Sequence, residues 1–426
     1  MYINETHTDR VPYKYTFIFF ISCMFFLFSP PNLLSQDFSS PEVQKRFPSD
    51  TKTLSSSVNK TLKLSFIGDI MAHDVNFNMS CYDNIYHSVL DIFKADDLTF
   101  ANFEFPIHNE KPYSSFPLFN VHSDYAASAF KAGIEAVSLA NNHSTDQGKE
   151  GINKTLQAIK ALSSEYNVLY SGLKENTYSI NNAEQKNPND IQTNVTSEVL
   201  FSSDTSALFP ISETTIKDTK IGFLALTQWV NVSSGNKQVF KLSYQIPNRK
   251  NKLLEYLKTI TQKYDVFVLS YHGGIEYSRT PAKDKRIFFN ELIQSGVDIV
   301  YSHHPHVLQP FEIVEYKKNK KLIIYSMGNF ISGQTTLVNP SIPEGKFAYT
   351  GDSLILQTEL NISENECSIS NINPIPITNY RHPKKGFIVK PLKELTEKNL
   401  PDVWKQYYNE RLAIMENYIS RQPIAK

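Results

Sequence analysis

The chain has 426 residues, which is enough for one large domain or two medium-sized domains. Its 43 lysine and arginine residues balance 43 aspartate and glutamate residues, so the formal net charge is zero. This balance argues against a nucleic-acid-binding protein, because such proteins carry a strongly basic surface. Hydrophobic residues make up 41% of the chain, so it can form a sizeable core.

The N-terminal region carries a targeting signal. An uncharged, largely apolar run spans residues 16–29 and follows Arg10 and Lys14. The run is short for a transmembrane helix, which needs about 20 residues, and it suits the central part of an export signal. We therefore predict that residues 1–35 form a signal peptide or a membrane anchor. The protein is then exported to the periplasm or the cell envelope.

Three further segments follow along the chain. Residues 36–61 are polar and serine-rich, which is typical of a linker. Residues 62–390 form the predicted main domain, and residues 391–426 form a predicted helical tail. After the apolar run the only cysteines are Cys81 and Cys367, so a C-x-x-C metal site is excluded. A disulfide between these two and a pair of free thiols both remain open.

Strands alternate with helices along the main domain, which is typical of a layered α/β fold. The predicted strands cover residues 62–67, 98–103, 134–140, 168–170, 221–227, 266–271, 297–301 and 321–326. The predicted helices cover residues 88–93, 123–132, 151–162, 251–264, 285–295 and the amphipathic stretch 404–419. Residues 173–219 are rich in Asn, Ser and Thr and are expected to form a surface insertion.

Most of these predicted strands end in side chains that can bind a metal ion. In chain order the candidates are Asp69, Glu104, Asn142 with His143, His272, and the triplet His303, His304 and His306. A buried strand followed by a polar cluster places such ligands at one edge of a sheet. The two carboxylates, Asn142 and the three histidines His272, His304 and His306 suit a two-metal hydrolytic centre. Carboxylates can bridge two ions, and neutral imidazoles bind without adding charge.

The histidine triplet allows a geometric prediction. If the chain stays extended after the strand, His304 and His306 face the same side. Pro305 disfavours a helix at His304 and so supports an extended path. His303 would then point the other way and serve a supporting or structural role. His143 directly follows Asn142 and could act as a general acid near a leaving group.

Together the blocks resemble the CapA family of poly-γ-glutamate capsule proteins, within the calcineurin-like metallophosphoesterase superfamily. The resemblance covers about residues 62–335 and rests on ordered motifs: Gly68-Asp69-Ile70-Met71, Ala101-Asn102-Phe103-Glu104, Asn141-Asn142-His143 with Asp146 and Gly148, His272-Gly273-Gly274-Ile275-Glu276-Tyr277, His303-His304-Pro305-His306-Val307 and Tyr325-Ser326-Met327-Gly328-Asn329-Phe330. It implies an α/β fold, a four-layered metallophosphoesterase-like αββα sandwich with a C-terminal helical extension.

The resemblance also implies roles for individual side chains around two divalent ions. The first ion would be bound by Asp69 and His306, the second by Asn142, His272 and His304, with Glu104 bridging both and His143 assisting the leaving group. Manganese, iron and zinc all suit mixed oxygen and nitrogen ligands. The superfamily usually has a histidine two residues after its first aspartate, whereas here the next histidine is His73. Weak binding of the first ion, or a mononuclear centre, therefore stays open.

The expected function is metal-dependent hydrolysis or transfer on poly-γ-glutamate or a related anionic envelope polymer. Two alternatives remain at this point. One is a non-catalytic accessory subunit that binds the polymer or a membrane synthase, and the other is a plain phosphoesterase. Retention of nearly the whole ligand set favours an enzyme, because an accessory protein has no physical need for it.

Overall fold

The computed structural model describes residues 60–175 and 209–421, apart from residues 343, 344, 346, 364 and 365. The predicted signal or anchor at residues 1–35 lies outside the described residues. So do most of the predicted linker and the middle of the predicted surface insertion. None of the helices in the described ranges is long and apolar enough to cross a membrane.

The described residues contain fourteen strands, most of them built from apolar and β-branched runs. In chain order they are β1 (Lys60–Ile70), β2 (Leu98–Phe103), β3 (Ala136–Ser138), β4 (Leu169–Ser171), β5 (Ser212–Ile216), β6 (Thr219–Thr227), β7 (Val266–His272), β8 (Ile299–His303), β9 (Leu308–Tyr316), β10 (Asn319–Met327), β11 (Asn329–Ile331), β12 (Asp352–Ser363), β13 (Glu366–His382) and β14 (Gly386–Pro391). The predicted strands are confirmed, with ends that differ by a few residues.

The strands form two mixed sheets. The first has the order β14-β13-β12-β1-β2-β3-β4, with β11 beside β1. The second has the order β5-β6-β7-β8-β10-β9. Strands β1 to β4 are parallel neighbours, and β6, β7, β8 and β10 are parallel as well. The carboxyl ends of parallel neighbours lie at the same edge of a sheet, so the polar residues after these strands are placed near one another.

Eight α-helices connect and cover the sheets in the described part of the chain. They are α1 (Asp74–Phe77), α2 (Leu90–Phe93), α3 (Ser123–Lys131), α4 (Gly148–Tyr166), α5 (Pro247–Ile260), α6 (Lys283–Gln294), α7 (Leu392–Thr396) and α8 (Asp402–Ser420). The predicted helices match α2 to α6 and α8. Helix α5 starts with Pro247, which suits a first turn because its missing N–H would have no partner within the helix.

The two sheets pack face to face between layers of helices. Phe66 of β1 contacts Tyr301 of β8 across the interface, with ring centroids 5.3 Å apart. On the other side of the first sheet, Phe103 of β2 stacks on Phe130 of α3 at 5.3 Å. A second apolar cluster joins α5 and α6 to the outer face of the second sheet. This order of layers confirms the predicted αββα sandwich.

The C-terminal helix α8 packs on the first sheet, as its apolar spacing predicted. Tyr408 and Met415 are buried, and Trp404 packs against the same core. Arg411 is 1% exposed and donates from Nε to Asp352 of β12 at 2.9 Å, with a second bond from Nη2 to the same carboxylate. This buried ion pair stabilises the packing of α8 on the first sheet.

Replacing Arg411 by methionine should lower the free energy of unfolding by about 3–5 kcal/mol, because Asp352 would stay buried without its main partner. Urea unfolding followed by circular dichroism measures the change. The double variant Arg411→Met/Asp352→Asn is the matched control and should recover part of the loss. If the single variant unfolds like the wild type, the ion pair does not fasten α8.

Both cysteines of the main domain are free thiols. Cys81 is exposed and Cys367, in β13, is buried. Of the two possibilities that the sequence left open, the structure therefore shows unpaired cysteines.

Two carboxyl groups near the N-terminal end of β2 are predicted to make the stability of the fold depend on pH. Asp96 accepts a hydrogen bond from the Thr99 hydroxyl, and Glu135 accepts one from the Thr99 backbone N–H, both at 2.9 Å. Burial raises the pKa of Asp96 to about 6 and that of Glu135 to about 7. Because these values lie above the ordinary 3.8 and 4.5, the protonated groups stabilise the fold at low pH.

That stabilisation should be fully present below about pH 4 and lost as pH rises through 6 and 7. The measured quantity is the melting temperature of the wild type minus that of Asp96→Asn/Glu135→Gln. This difference should decrease as the pH is raised from 4 to 8. Comparison with this variant cancels the contribution of other titrating groups. A difference that does not change with pH would contradict the prediction.

Candidate metal centre

The ends of three strands place the first candidate ligands together. Asp69 lies near the end of β1, Glu104 directly follows β2, and His272 ends β7. Each of these three side chains is 0% exposed. Just before Asp69, a Cβ atom on Gly68 would lie 2.0 Å from the Gly328 carbonyl oxygen. Glycine at position 68 is what lets the β10–β11 turn approach β1 so closely.

Asp69 is held as a carboxylate by its neighbours. The Asn102 amide donates to its Oδ1 at 2.8 Å, and His306 Nδ1 lies 3.2 Å from its Oδ2. Burial of Asp69 opposes its charge. The hydrogen bond from His306 and the electrostatic attraction of that ring nevertheless hold the pKa of Asp69 below its usual value. The charged form is the one that binds a cation.

Glu104 is the most informative residue of the cluster. Its Oε1 atom is buried and has no hydrogen-bond partner among the described residues. The same atom lies 3.7 Å from His272 Nε2 and 3.8 Å from His306 Nε2. Burial, and then the negative charge of Asp69, raise the pKa of Glu104 well above its usual value. Its Oε2 atom accepts from the Asn102 amide at 3.5 Å, but a buried carboxylate oxygen without a donor is costly, and a cation beside Oε1 removes that cost.

Two groups of ligand atoms share Glu104. One group is formed with His272 and His304, and the other with Asp69 and His306; within each group the ligand atoms lie within 4.8 Å of one another. This is the arrangement expected of a carboxylate that bridges two ions. The bridging role itself remains a prediction.

His272 and Asn142 meet as the resemblance implied for the second ion. His272 Nε2 lies 2.7 Å from Asn142 Oδ1 and 3.1 Å from His304 Nδ1. Burial lowers the pKa of both His272 and His304 well below the usual value. Both imidazoles are therefore neutral, which is the form that coordinates a metal ion.

His303 lies behind His272. Its Nε2 is 2.7 Å from the Ser270 hydroxyl, and its Nδ1 is 2.7 Å from His272 Nδ1. It therefore fixes the orientation of the His272 ring, which fits the supporting role considered for it. One of its nitrogens also lies within 4.8 Å of ligand atoms of Asp69 and His272.

The backbone of the histidine triplet corrects the sequence prediction. His304 has φ 99° and His306 has φ 59°, so the segment is not extended. The two rings still converge, with centroids 5.7 Å apart. Tertiary contacts impose this path: the Pro305 carbonyl accepts from the Tyr277 N–H at 2.8 Å, and Asn329 Nδ2 donates to the His306 carbonyl at 3.3 Å. The pattern of a short segment does not reveal such contacts.

His143 lies beside the ligands in a different setting. Its Nδ1 is 2.7 Å from Asp146 Oδ2, and the edge of Phe119 packs against its ring at 4.7 Å. No group of clustered ligand atoms in the described ranges includes it. With Nδ1 engaged, Nε2 is the nitrogen available to carry a proton.

His73, the histidine that follows Asp69 at an unusual spacing, is hydrogen-bonded to another segment. Its Nδ1 accepts a hydrogen bond from the Gly333 N–H at 3.1 Å. Burial lowers its pKa to about 4, so the ring is neutral. Among the described residues it belongs to none of the clusters of ligand atoms.

Several residues of the centre had no role assigned from the sequence. Asn102 contacts Asp69 and also lies 3.4 Å from His272 Nδ1. Its position two residues before Glu104, on the same side of an extended strand, could have revealed it. Asn329 Oδ1 lies 3.0 Å from His306 Nδ1, and Trp229 packs edge-on against His304 at 4.7 Å. No sequence signal marks Trp229.

The cluster fits divalent ions on its own chemistry. It offers two carboxylates, one amide oxygen and several neutral imidazoles, and these suit manganese, iron or zinc. The unpartnered Glu104 oxygen is a structural feature that a bound cation would satisfy. Glu276, which is exposed, also brings an oxygen within 4.8 Å of ligand atoms of His304 and His306 at the outer side.

Comparison with known proteins identifies the family. Two curated relatives are each 27% identical: a capsule biosynthesis protein CapA of Bacillus anthracis, over 75% of this chain and 70% of the relative, and a PGA biosynthesis protein CapA of Bacillus subtilis (strain 168), over 66% of both. Among solved structures, a hypothetical protein from Thermus thermophilus matches with a TM-score of 0.39 at 14% identity, over 74% of this chain and 98% of that one. The model of the family described as bacterial capsule synthesis protein PGA_cap matches residues 63–334. The chain belongs to this family, and thereby to the metallophosphoesterase-like superfamily.

Proposed function

We propose that the protein is a metal-dependent hydrolase or transferase that acts on an anionic envelope polymer during capsule synthesis. The observation that carries this proposal is the buried Glu104 oxygen, which lacks a donor among the described residues and lies between two sets of ligands. The His143–Asp146 pair beside it adds a group that can move a proton. An inert binding surface has no need of either feature.

Family membership supports the biological setting. Both curated relatives are named for capsule or PGA biosynthesis. We infer that the substrate is poly-γ-glutamate or a related anionic polymer, and that the protein acts in the cell envelope, near a membrane synthase. The apolar run at residues 16–29 supports that location.

The side chains divide the chemical work. Divalent ions held here would polarise the group under attack and lower the pKa of the attacking water. Asn102 and His303 fix the orientation of Asp69 and His272. His143 Nε2 gives its proton to the leaving atom while Asp146 holds Nδ1. The new bond joins the water oxygen to phosphorus or to the carbonyl carbon, and the bond to the leaving atom breaks.

Elemental analysis tests the proposal directly. Protein purified without chelator should contain a divalent metal, and protein stripped with chelator should regain it from manganese, iron or zinc. The metal-loaded form should then cleave a phosphodiester or a γ-glutamyl polymer. Protein that binds none of these metals would instead be a non-catalytic subunit that binds the polymer or a synthase.

A further inference from the structure

A small loop beside His143 exposes two apolar side chains. Ser114 and Asn120 exchange backbone hydrogen bonds of 3.0 and 2.9 Å, and the Ser114 hydroxyl donates to the Leu118 carbonyl at 2.6 Å. We call residues 114–120 the apolar loop. At its tip Phe116 is 68% exposed and Leu118 is 46% exposed. The loop is thus closed by its own hydrogen bonds, with Phe119 buried and Phe116 and Leu118 facing solvent.

The same carboxylate fixes this loop and the proposed general acid. Asp146 Oδ2 accepts from the Phe119 N–H at 2.9 Å and lies 2.7 Å from His143 Nδ1. Gln147 Nε2 donates to the Phe119 carbonyl at 2.9 Å. The Phe116 ring lies 6.4 Å from the His143 ring, edge to face. The tip of the loop therefore keeps a fixed position relative to His143.

We propose that Phe116 and Leu118 determine specificity by binding an apolar leaving group, such as an alcohol with an aliphatic chain. This inference rests on the proposed function, in which His143 protonates the leaving atom. The leaving atom lies next to His143 in this mechanism, so the rest of the leaving group extends from that point. The Phe116 ring is a neighbour of the His143 ring and can contact it there. Single exposed apolar residues are common, but here two lie on a loop joined to the acid.

In the step considered, a water oxygen bonds to phosphorus and the bond from phosphorus to the leaving oxygen breaks. His143 Nε2 passes its proton to that oxygen, and the proton lost by the water then protonates Nε2 again. The products are the free alcohol and the phosphate monoester. Burial of the alcohol's chain against the Phe116 ring stabilises both the bound substrate and the transition state.

Two methyl aryl phosphodiesters with phenols of equal acidity test the proposal. One phenol carries a hexyl chain, and the other carries a chain of equal length that ends in a hydroxyl. The ratio of their kcat/KM values should favour the hexyl compound and should fall about tenfold in Phe116→Ala, with a smaller fall in Leu118→Ala. Val403→Ala, which removes an exposed apolar side chain from α8, is the matched control and should keep the wild-type ratio.

A second readout does not depend on turnover. Calorimetric titration with the free hexyl phenol should show weaker binding to Phe116→Ala than to the wild type. If neither diester is cleaved but this difference is seen, the proposed reaction is wrong and the apolar subsite stands. If the diesters are cleaved and the ratio is the same in Phe116→Ala, the subsite is wrong and the reaction stands.

Two further results would also overturn the subsite. An equal loss of preference in Ile275→Ala, which changes an exposed residue of the loop after His272, would indicate a general apolar rim. Weaker binding of Phe116→Ala to phosphatidylglycerol vesicles, with an unchanged ratio, would assign the apolar loop to a membrane surface.

Discussion

His143→Asn should keep its bound metal and its fold but lose about 10²–10⁴-fold in turnover, the usual contribution of a general acid. The ring lies outside the clusters of ligand atoms in the described residues, and Asp146 holds its Nδ1 atom. Asparagine can keep a hydrogen bond to Asp146 but cannot supply a proton to the leaving atom. Initial rates of the metal-loaded protein measure the loss.

A series of leaving groups separates an acid from a group that only positions the substrate. A phenol of low pKa leaves without protonation, so His143→Asn should lose least activity on its ester and most on an alkyl ester. Loss of metal in this variant would make His143 a ligand instead. Full activity on the alkyl ester would exclude the acid role altogether.

The αββα sandwich was predictable because its central strands are short apolar runs that end in polar residues. The strands that follow β10 were not. Strand β13 contains Pro374 and Pro376, which normally argue against a strand. The structure resolves the conflict, because β14 pairs only with residues 377–382 of β13. The prolines therefore lie where one side of the strand has no partner in the sheet formed by the described residues.

The candidate site could be predicted as a set of residues but not as a geometry. Strand ends fixed the approach of Asp69 and Glu104, because β1 and β2 are parallel neighbours that share one edge, whereas His272 ends β7 of the second sheet and meets them only through the packing of the two sheets. The positive φ angles of His304 and His306 depend on contacts with a distant loop and with Asn329. Trp229 reaches His304 from a segment without any motif. Such placements depend on tertiary packing, which a single sequence does not display.

Glu104→Ala should lower bound metal far more than His73→Ala. Glu104 belongs to both groups of ligand atoms, so its removal weakens both positions, whereas the His73 ring is engaged by the Gly333 N–H. Loss of a residue outside the ligand set changes metal affinity by about 10–100-fold at most, and loss of a shared ligand should remove at least one ion. Elemental analysis of both variants beside the wild type decides between them. Equal loss of metal in the two variants would show either that His73 is a ligand or that Glu104 does not bridge the ions.

Thermal unfolding of the metal-free protein gives an independent test of the same assignment. Glu104→Gln keeps the shape of the side chain but cannot ionise, whereas burial and the charge of Asp69 raise the pKa of Glu104 well above its usual value and its Oε1 has no donor among the described residues. The metal-free variant should therefore melt at a higher temperature than the metal-free wild type at neutral pH, where the wild-type carboxyl is costly in either form. Added metal should stabilise the wild type and stabilise the variant much less, because binding to the folded state raises its stability. A variant that is destabilised without metal, and stabilised as much as the wild type with it, would show that Glu104 serves packing rather than metal binding.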